Sequence, residues 1–219
     1  MKAYLQKIGR SLMLPVAVLP AAAILLGTGA MLENGGWFGE VFPTFLIAAG
    51  GSLIDNMGIL FAIGVALGMS EDKNGAAALS GLVGWLVVTT MLSVDNVAIY
   101  QGIEAVEVDP AFANIETQFI GILVGAIAGA LYNRFGKTRL PQALAFFSGR
   151  RLVPIITALF SLVLSAILFV AWPTIYGGLV SFGTVISEFG AVGAGLFGFF
   201  NRLLIPTGLH HALNSVFWF

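Results

Sequence analysis

Five polar side chains lie close together near the end of the chain, in an otherwise apolar region. They are Arg202, Thr207, His210, His211 and Asn214. Arginine and histidine donate hydrogen bonds, whereas threonine and asparagine both donate and accept them. Such a set suits an uncharged ligand that carries many hydroxyl groups, while an ion pathway would be expected to show a series of carboxylates. We therefore predict a sugar-binding site in this stretch.

A break in the helix accompanies these side chains. Pro206 and Gly208 follow Arg202 directly, and unpaired backbone at membrane depth is tolerated only where it is buried in protein or lines a cavity. Arg202 taken alone would also fit a helix-end arginine that extends its charge to the headgroups. The break and the neighbouring polar residues favour the binding site over that interpretation.

The composition excludes several classes of protein. Of the 219 residues, 58% are hydrophobic and 10% are charged, and the mean hydropathy is +0.95, so a soluble enzyme is nearly excluded. The net charge of −1 gives no basic surface for nucleic acid. The chain has no cysteine and only two histidines, which argues against a thiolate or histidine-rich metal site and a cysteine phosphoryl carrier, and we expect no cofactor.

Uncharged stretches of about 20 residues, the length that crosses a bilayer, predict an all-α membrane protein with about six transmembrane helices. The predicted spans are about 12–32, 53–69, 76–94, 117–133, 152–172 and 190–205. An interfacial segment at 42–49 precedes the second span, and 206–219 begins a re-entrant hairpin. The first span is longer than the apolar part of a signal peptide and lacks a clear cleavage site, so we expect it to be retained.

Helix ends are predicted at two places. Asp55 and Asn56 stand at the start of the second span, where capping of the helix N-terminus is the ordinary role of such residues. The pairs Trp172-Pro173 and Gly177-Gly178 predict that the fifth span stops or bends there.

The basic residues indicate the orientation, because cytoplasmic loops retain lysine and arginine. Nine of the ten basic residues fall on one side of the predicted spans: Lys2, Lys7, Arg10, Lys73, Arg134, Lys137, Arg139, Arg150 and Arg151. The N-terminus is therefore predicted to be cytoplasmic, as is the loop 134–151. Residues 140–147 of that loop are apolar enough to predict a short helix that meets a membrane surface or a protein partner.

Glycine recurs every fourth residue in two of the spans. Gly121, Gly125 and Gly129 form one series, and Gly64 and Gly68 form another. Small residues at this spacing let helices approach closely in a membrane. Packing within the chain is the simpler interpretation, and a dimer interface is the alternative.

Four segments carry a resemblance to a known family. They are Ser11 to Pro20, Leu60 to Ala66, LPQALAFFSGRRLVPI at 140–155 and NRLLIPTGLHHALN at 201–214. The chain resembles the membrane-embedded IIC domain of the bacterial phosphoenolpyruvate-dependent sugar phosphotransferase system, in its glucose and N-acetylglucosamine branch. The segment 205–211 is most similar to the N-acetylglucosamine type.

The resemblance implies a permease of the bacterial inner membrane that moves a substrate domain against a dimeric scaffold. It also implies a partner IIB domain whose cysteine passes a phosphoryl group to the sugar. Arg202 and His210 match family residues that contact the sugar, and His211, Thr207 and Asn214 lie near them. On this basis 1–189 is the transmembrane scaffold and 190–219 is the start of the substrate-binding region.

The resemblance covers roughly the first half of a typical IIC domain, so a glutamate that contacts sugar in the family is missing. The expected function is that of a sugar-transporting IIC subunit, which acts as the membrane component of a sugar phosphotransferase. The alternative is a truncated, non-transporting scaffold or receptor derived from such a permease.

Overall fold

A computed structural model describes residues 2–36 and 38–204, and every regular element in these ranges is a helix. The α-helices are α1 (Lys2–Val16), α2 (Leu19–Asn34), α3 (Val41–Asp55), α4 (Met57–Met69), α5 (Gly75–Met91), α6 (Val94–Gln101), α7 (Gln118–Phe135), α8 (Leu152–Glu188) and α9 (Gly190–Leu204). Short 3-10 helices occupy Ala105–Glu107, Phe112–Asn114, Gln142–Phe147 and Gly149–Arg151. The all-α prediction is confirmed for this part of the chain, and so is a short helix within 140–147.

Three segments of the described residues, or five if each bent helix pair counts as one, are long and apolar enough to cross a membrane. Gln6–Asn34, Gln118–Phe135 and Gly149–Ser181 are each long and apolar enough to span a bilayer. Two further pairs qualify only together: α3 with α4, bent by 52°, and α5 with α6, bent by 51°. The count of six spans remains a prediction.

The break between α3 and α4 differs from the expected capping. Asn56 occupies the N-cap position of α4, but its side chain makes no capping hydrogen bond there. Its Nδ2 instead donates to the Ser52 carbonyl at 2.9 Å, which satisfies one of the unpaired carbonyls at the end of α3. The interfacial segment at 42–49 is also part of a longer helix, because α3 continues to Asp55.

The fifth span does not stop at Trp172-Pro173, because α8 runs without interruption through Pro173 and both glycines, and a bend there remains a prediction. Proline removes one hydrogen bond from a helix interior, but packing at the preceding residue holds the helix in place. Trp172 is fully buried, its indole N–H donates to the Ala111 carbonyl at 2.7 Å, and its ring stacks on Phe119. Tertiary contacts thus outweigh the local preference for a break.

The glycine series mediates packing within the chain. A methyl group at Gly121 would overlap the Gly58 carbonyl oxygen, and one at Gly125 would lie 2.8 Å from the carbonyl oxygen of Ala62. The backbones of α4 and α7 are therefore in direct contact. The simpler of the two interpretations is confirmed for this series, and a homodimer remains a prediction.

The same principle joins α1 to α4. Gly64 faces the ring of Pro15, and Gly68 faces Ser11. Since the later residue of α4 meets the earlier residue of α1, the two helices are antiparallel. The N-terminus of the chain and the loop after α4 therefore lie at the same end of the bundle.

We expect Gly121→Ala to destabilise the fold, because the added methyl group has no room against the α4 backbone. Overpacking of this kind costs roughly 1–3 kcal/mol in free energy of unfolding. Gly177→Ala is the matched control, since nothing lies within 4 Å of that position and alanine is the better helix former. Thermal unfolding in detergent, followed by tryptophan fluorescence, measures both. Equal melting temperatures for the two variants would contradict the backbone contact.

Candidate functional site

The helix that carries Arg202 begins with a tight turn after α8. Gly190 has φ +53°, a left-handed backbone conformation that residues with a side chain rarely adopt. Gly193 lies so close to the Ile186 carbonyl oxygen that a side chain there would overlap it. From this turn α9 runs to Leu204 with almost all of its residues exposed.

Arg202 lies in the last turn of α9 with an exposed side chain. None of the described residues forms a hydrogen bond or an ion pair with its guanidinium group. A cation in the last turn is favoured by the partial negative charge of the helix C-terminus. The other four predicted site residues, Thr207, His210, His211 and Asn214, lie outside the described residues, so the structure places one member of the predicted set.

Asn201 is a polar residue that the sequence interpretation did not include. Its Oδ1 atom is buried and has no hydrogen-bond partner in the described part of the chain. A buried acceptor without a donor is costly, and a ligand hydroxyl would remove that cost. The signal was present in the sequence, because an amide between Phe200 and Arg202 in an apolar helix is a functional hypothesis in itself.

An apolar cavity of about 350 Å³ lies between α5, α6 and α8. Its two polar side chains are already bonded: the Tyr100 hydroxyl to the sulfur of Met91 at 3.6 Å, and Ser165 Oγ to the Ser161 carbonyl at 2.8 Å. A sugar placed there would lose its water without gaining hydrogen bonds. This cavity is therefore a poor candidate for the sugar site.

A second group of polar residues lies at the end of the bundle where α4 ends and α8 begins. We call Asp72, Tyr132, Asn133 and Arg150 the Asp72 cluster. Asp72 Oδ2 accepts hydrogen bonds from Arg150 Nη2 at 2.6 Å and from the Tyr132 hydroxyl at 3.0 Å. Asn133 accepts from the Glu71 backbone N–H and donates to the Met69 carbonyl, both at 2.9 Å.

The Asp72 cluster connects two loops that are far apart in sequence. The hydroxyl of Tyr132 and, to a smaller extent, the Arg150 guanidinium hold the pKa of the Asp72 carboxyl below its usual value of 3.8. Both ends of the Asp72–Arg150 pair are about half exposed, so solvent screens it. A polar cavity of about 70 Å³ adjoins the cluster. The Asp72 cluster therefore holds the loop between α7 and α8 against the loop that follows α4.

The described residues contain no group of three or more histidine, aspartate or glutamate side chains placed to hold a metal ion. Some of the described polar groups form hydrogen bonds, and Asp72 and Arg150 form the one ion pair found in this part of the chain. What this part of the chain can do chemically is to donate and accept hydrogen bonds at the end of α9.

Comparison with known proteins identifies the family. The family model "Phosphotransferase system, EIIC" matches residues 9–219. The chain belongs to this family. Its membership, together with the apolar helices, makes it an integral protein of the bacterial inner membrane.

Relatives of this EIIC chain carry names that specify a sugar. It is 45% identical over 224 residues to the N-acetylglucosamine-specific EIICB component of Bacillus subtilis (strain 168), covering 100% of the chain and 44% of that relative. It is 44% identical over 217 residues to the N-acetylglucosamine-specific EIICBA component of Escherichia coli (strain K12), covering 99% and 30%. With the N-acetylglucosamine-specific EIIC component of Streptomyces coelicolor (strain ATCC BAA-471 / A3(2) / M145) the identity is 39% over 222 residues, covering 98% and 52%. The chain thus spans about half or less of the length of each.

We expect Asp72→Asn to loosen the loop between α7 and α8, because the neutral amide loses the ion pair with Arg150. A nitroxide label on Gln142→Cys, read by electron paramagnetic resonance, should become more mobile. Glu71→Gln is the matched control: it removes a neighbouring negative charge, but only the backbone of Glu71 contacts Asn133.

The hold of Asp72 on the loop between α7 and α8 should weaken only when the pH falls. Because the pKa of Asp72 is lowered by folding, its contribution is complete above the usual value of 3.8 and is lost as the pH falls through the lowered value. The label in the unsubstituted loop should therefore stay immobile between about pH 8 and 5. Loosening of the loop within that interval, or equal mobility of the label in Asp72→Asn and Glu71→Gln, would show that Asp72 does not hold the loop.

Proposed function

We propose that this chain is a sugar-translocating IIC subunit, or part of one, that carries N-acetylglucosamine, with glucose as the second choice. The proposal rests on its similarity to three EIIC-containing proteins that are named for N-acetylglucosamine. A phosphorylated IIB domain is the proposed partner, because two of those relatives carry further B or BA components in one chain with EIIC. The alternative of a non-transporting scaffold or receptor is not favoured by these similarities.

The single observation that supports the site assignment is the presence of two polar residues at the end of α9. There Arg202, whose exposed guanidinium has no partner among the described residues, follows directly on Asn201, whose side-chain oxygen is buried and has no hydrogen-bond partner in the same part of the chain. Arg202 thus offers exposed donors for the hydroxyl groups of a sugar, and Asn201 is a second candidate whose acceptor would first have to be uncovered. We propose that Thr207, His210, His211 and Asn214 complete this site. Their donors would orient the hydroxyls and offset negative charge during phosphoryl transfer from IIB.

The proposed organisation keeps 1–189 as the scaffold and 190–219 as the start of the substrate-binding region. Burial supports this division in part, since α4, α5, α7 and the first part of α8 bury residues against one another whereas the described part of α9 is mostly exposed. We also propose six spans, a homodimeric scaffold and contact with membrane lipid along the exposed apolar faces.

The proposed orientation places the N-terminus in the cytoplasm. The contact between Asp72 and Arg150 and the antiparallel packing of α1 on α4 support it. They bring the ends of the chain segments that carry nine of the ten basic residues to one end of the bundle, where the positive-inside rule predicts cytoplasm.

We expect Arg202→Gln to lower the affinity for N-acetylglucosamine by about ten- to a hundredfold, because a hydrogen bond from a charged donor contributes roughly 1.5–3 kcal/mol. Asn201→Leu should cost about fivefold through the loss of a neutral acceptor. Binding is measured by calorimetry on the chain reconstituted with the C-terminal part of an EIIC domain, with glucose as competitor. Arg10→Gln, which changes another exposed arginine, is the control and should leave the affinity unchanged.

Two results would count against this proposal. Unchanged affinity in Arg202→Gln would remove the site assignment. Absence of sugar binding in the complemented chain itself would favour the scaffold or receptor alternative.

The orientation has its own test, which the absence of cysteine makes simple. Single cysteines at Gln142 and at Val106, two exposed positions on different loops, are treated with a membrane-impermeant maleimide in intact spheroplasts. We expect Val106→Cys to react at once and Gln142→Cys to react only after lysis. The opposite pattern would place the N-terminus outside.

A further inference from the structure

The loop between α7 and α8 is strongly basic and connects two membrane-spanning helices. Residues 134–151 carry five basic side chains and no acidic one. All five are exposed. Arg150 is bound to Asp72, whereas Arg134, Lys137 and Arg139 have no ionic partner among the described residues. The loop thus offers free positive charge at one membrane surface.

The same loop exposes large apolar side chains. Phe146 is 69% exposed, Leu144 50% and Phe147 42%. They belong to the 3-10 helix Gln142–Phe147, in which residues three apart lie one above the other, so Leu144 and Phe147 share a face. Three exposed, large apolar side chains this close together, outside the membrane spans, indicate an interaction site.

The loop is held in shape by its own hydrogen bonds, and Phe146 and Phe147 stay exposed although their rings are in contact. Gly149 N–H donates to the Thr138 carbonyl at 2.8 Å, and Leu140 N–H donates to Ser148 Oγ at 3.0 Å. Arg151 lies over the Phe146 ring, 4.8 Å from its centre, and donates to the Phe146 carbonyl. The 3-10 helix and its aromatic side chains are therefore presented as a preformed surface.

We propose that residues 137–151 form an interfacial anchor that docks on anionic phospholipid of the adjacent leaflet. Leu144, Phe146 and Phe147 enter the boundary between headgroups and acyl chains, and Lys137 and Arg139 bind lipid phosphate. Charge complementarity selects anionic headgroups over zwitterionic ones. Lipid is favoured over a protein partner because α7 and α8 both qualify as spans, so the short loop between them must lie at headgroup depth.

This proposal does not depend on the sugar site or on the orientation. The test uses the full chain in nanodiscs, whose two leaflets are equivalent, either of pure phosphatidylcholine or with phosphatidylglycerol added. Leu144→Cys carries a nitroxide, and its collision rates with oxygen and with a water-soluble nickel chelate report its depth. Val106→Cys is the control: it is an exposed apolar residue on a 3-10 helix, but it is flanked by Glu104 and Glu107.

The label at 144 is expected to become protected from the nickel chelate when phosphatidylglycerol is added, and to lose this protection at high salt. The double variant Lys137→Gln/Arg139→Gln should lower the ratio of docked to undocked loop roughly thirtyfold, since each basic residue near an anionic surface favours docking by about five- to sixfold. Phe146→Ser should lower it as well, with little change in its dependence on salt. The label at 106 should stay exposed to water throughout.

Three outcomes would overturn the proposal. The label at 144 could remain as exposed as the label at 106 in both lipid mixtures. It could be protected to the same extent with and without phosphatidylglycerol. Finally, it could be protected only when a phosphorylated IIB domain is added, which would make this loop a protein-docking surface.

Discussion

The structure depends on the direct contact between the backbones of α4 and α7. In a lipid environment the hydrophobic effect does little to hold helices together, so close van der Waals packing must do it. Gly121 and Gly125 on α7 permit this approach to Gly58 and Ala62 on α4. Glycines also allow other helices to approach α4 closely. Gly81 of α5 contacts the Ala62 carbonyl, and α1 contacts two further glycines of α4. α4 is thus the helix on which its neighbours are positioned.

Fixing α4 also fixes what happens at the two ends of the bundle. At one end the loop after α4 is brought beside α7, so that Asp72 can bond both Tyr132 and Arg150. At the other end the segment between α6 and α7 folds into an apolar cluster around Phe112 and Trp172. One end is held by polar contacts and the other by buried aromatic side chains, and among the described residues α9 packs mainly on α8.

The contrast between a packed bundle and an exposed α9 bears on function. A transporter needs a part that stays fixed in the membrane and a part that can change its surroundings. In the proposed transport function the packed helices α4, α5, α7 and α8 would serve as the former, and α9, which carries Arg202 and Asn201 at its end, would belong to the latter. The polar loop between α7 and α8 is held to the packed helices by Asp72. Its position gives the proposed lipid anchor a rigid base.

The sequence by itself determined the all-α membrane class, the family, Arg202 as a candidate and the glycine faces, because these depend on composition, periodicity and residue type. Tertiary structure decided the rest. α8 continues through Pro173 because Trp172 is anchored to Ala111, and this contact joins residues 61 positions apart, which no local pattern can reveal. Asn56 was likewise read as a cap by position alone, whereas its partner is Ser52. Asn201 could be named from the sequence, but the burial of its side-chain oxygen, which has no partner among the described residues, depends on local packing that only the folded chain defines.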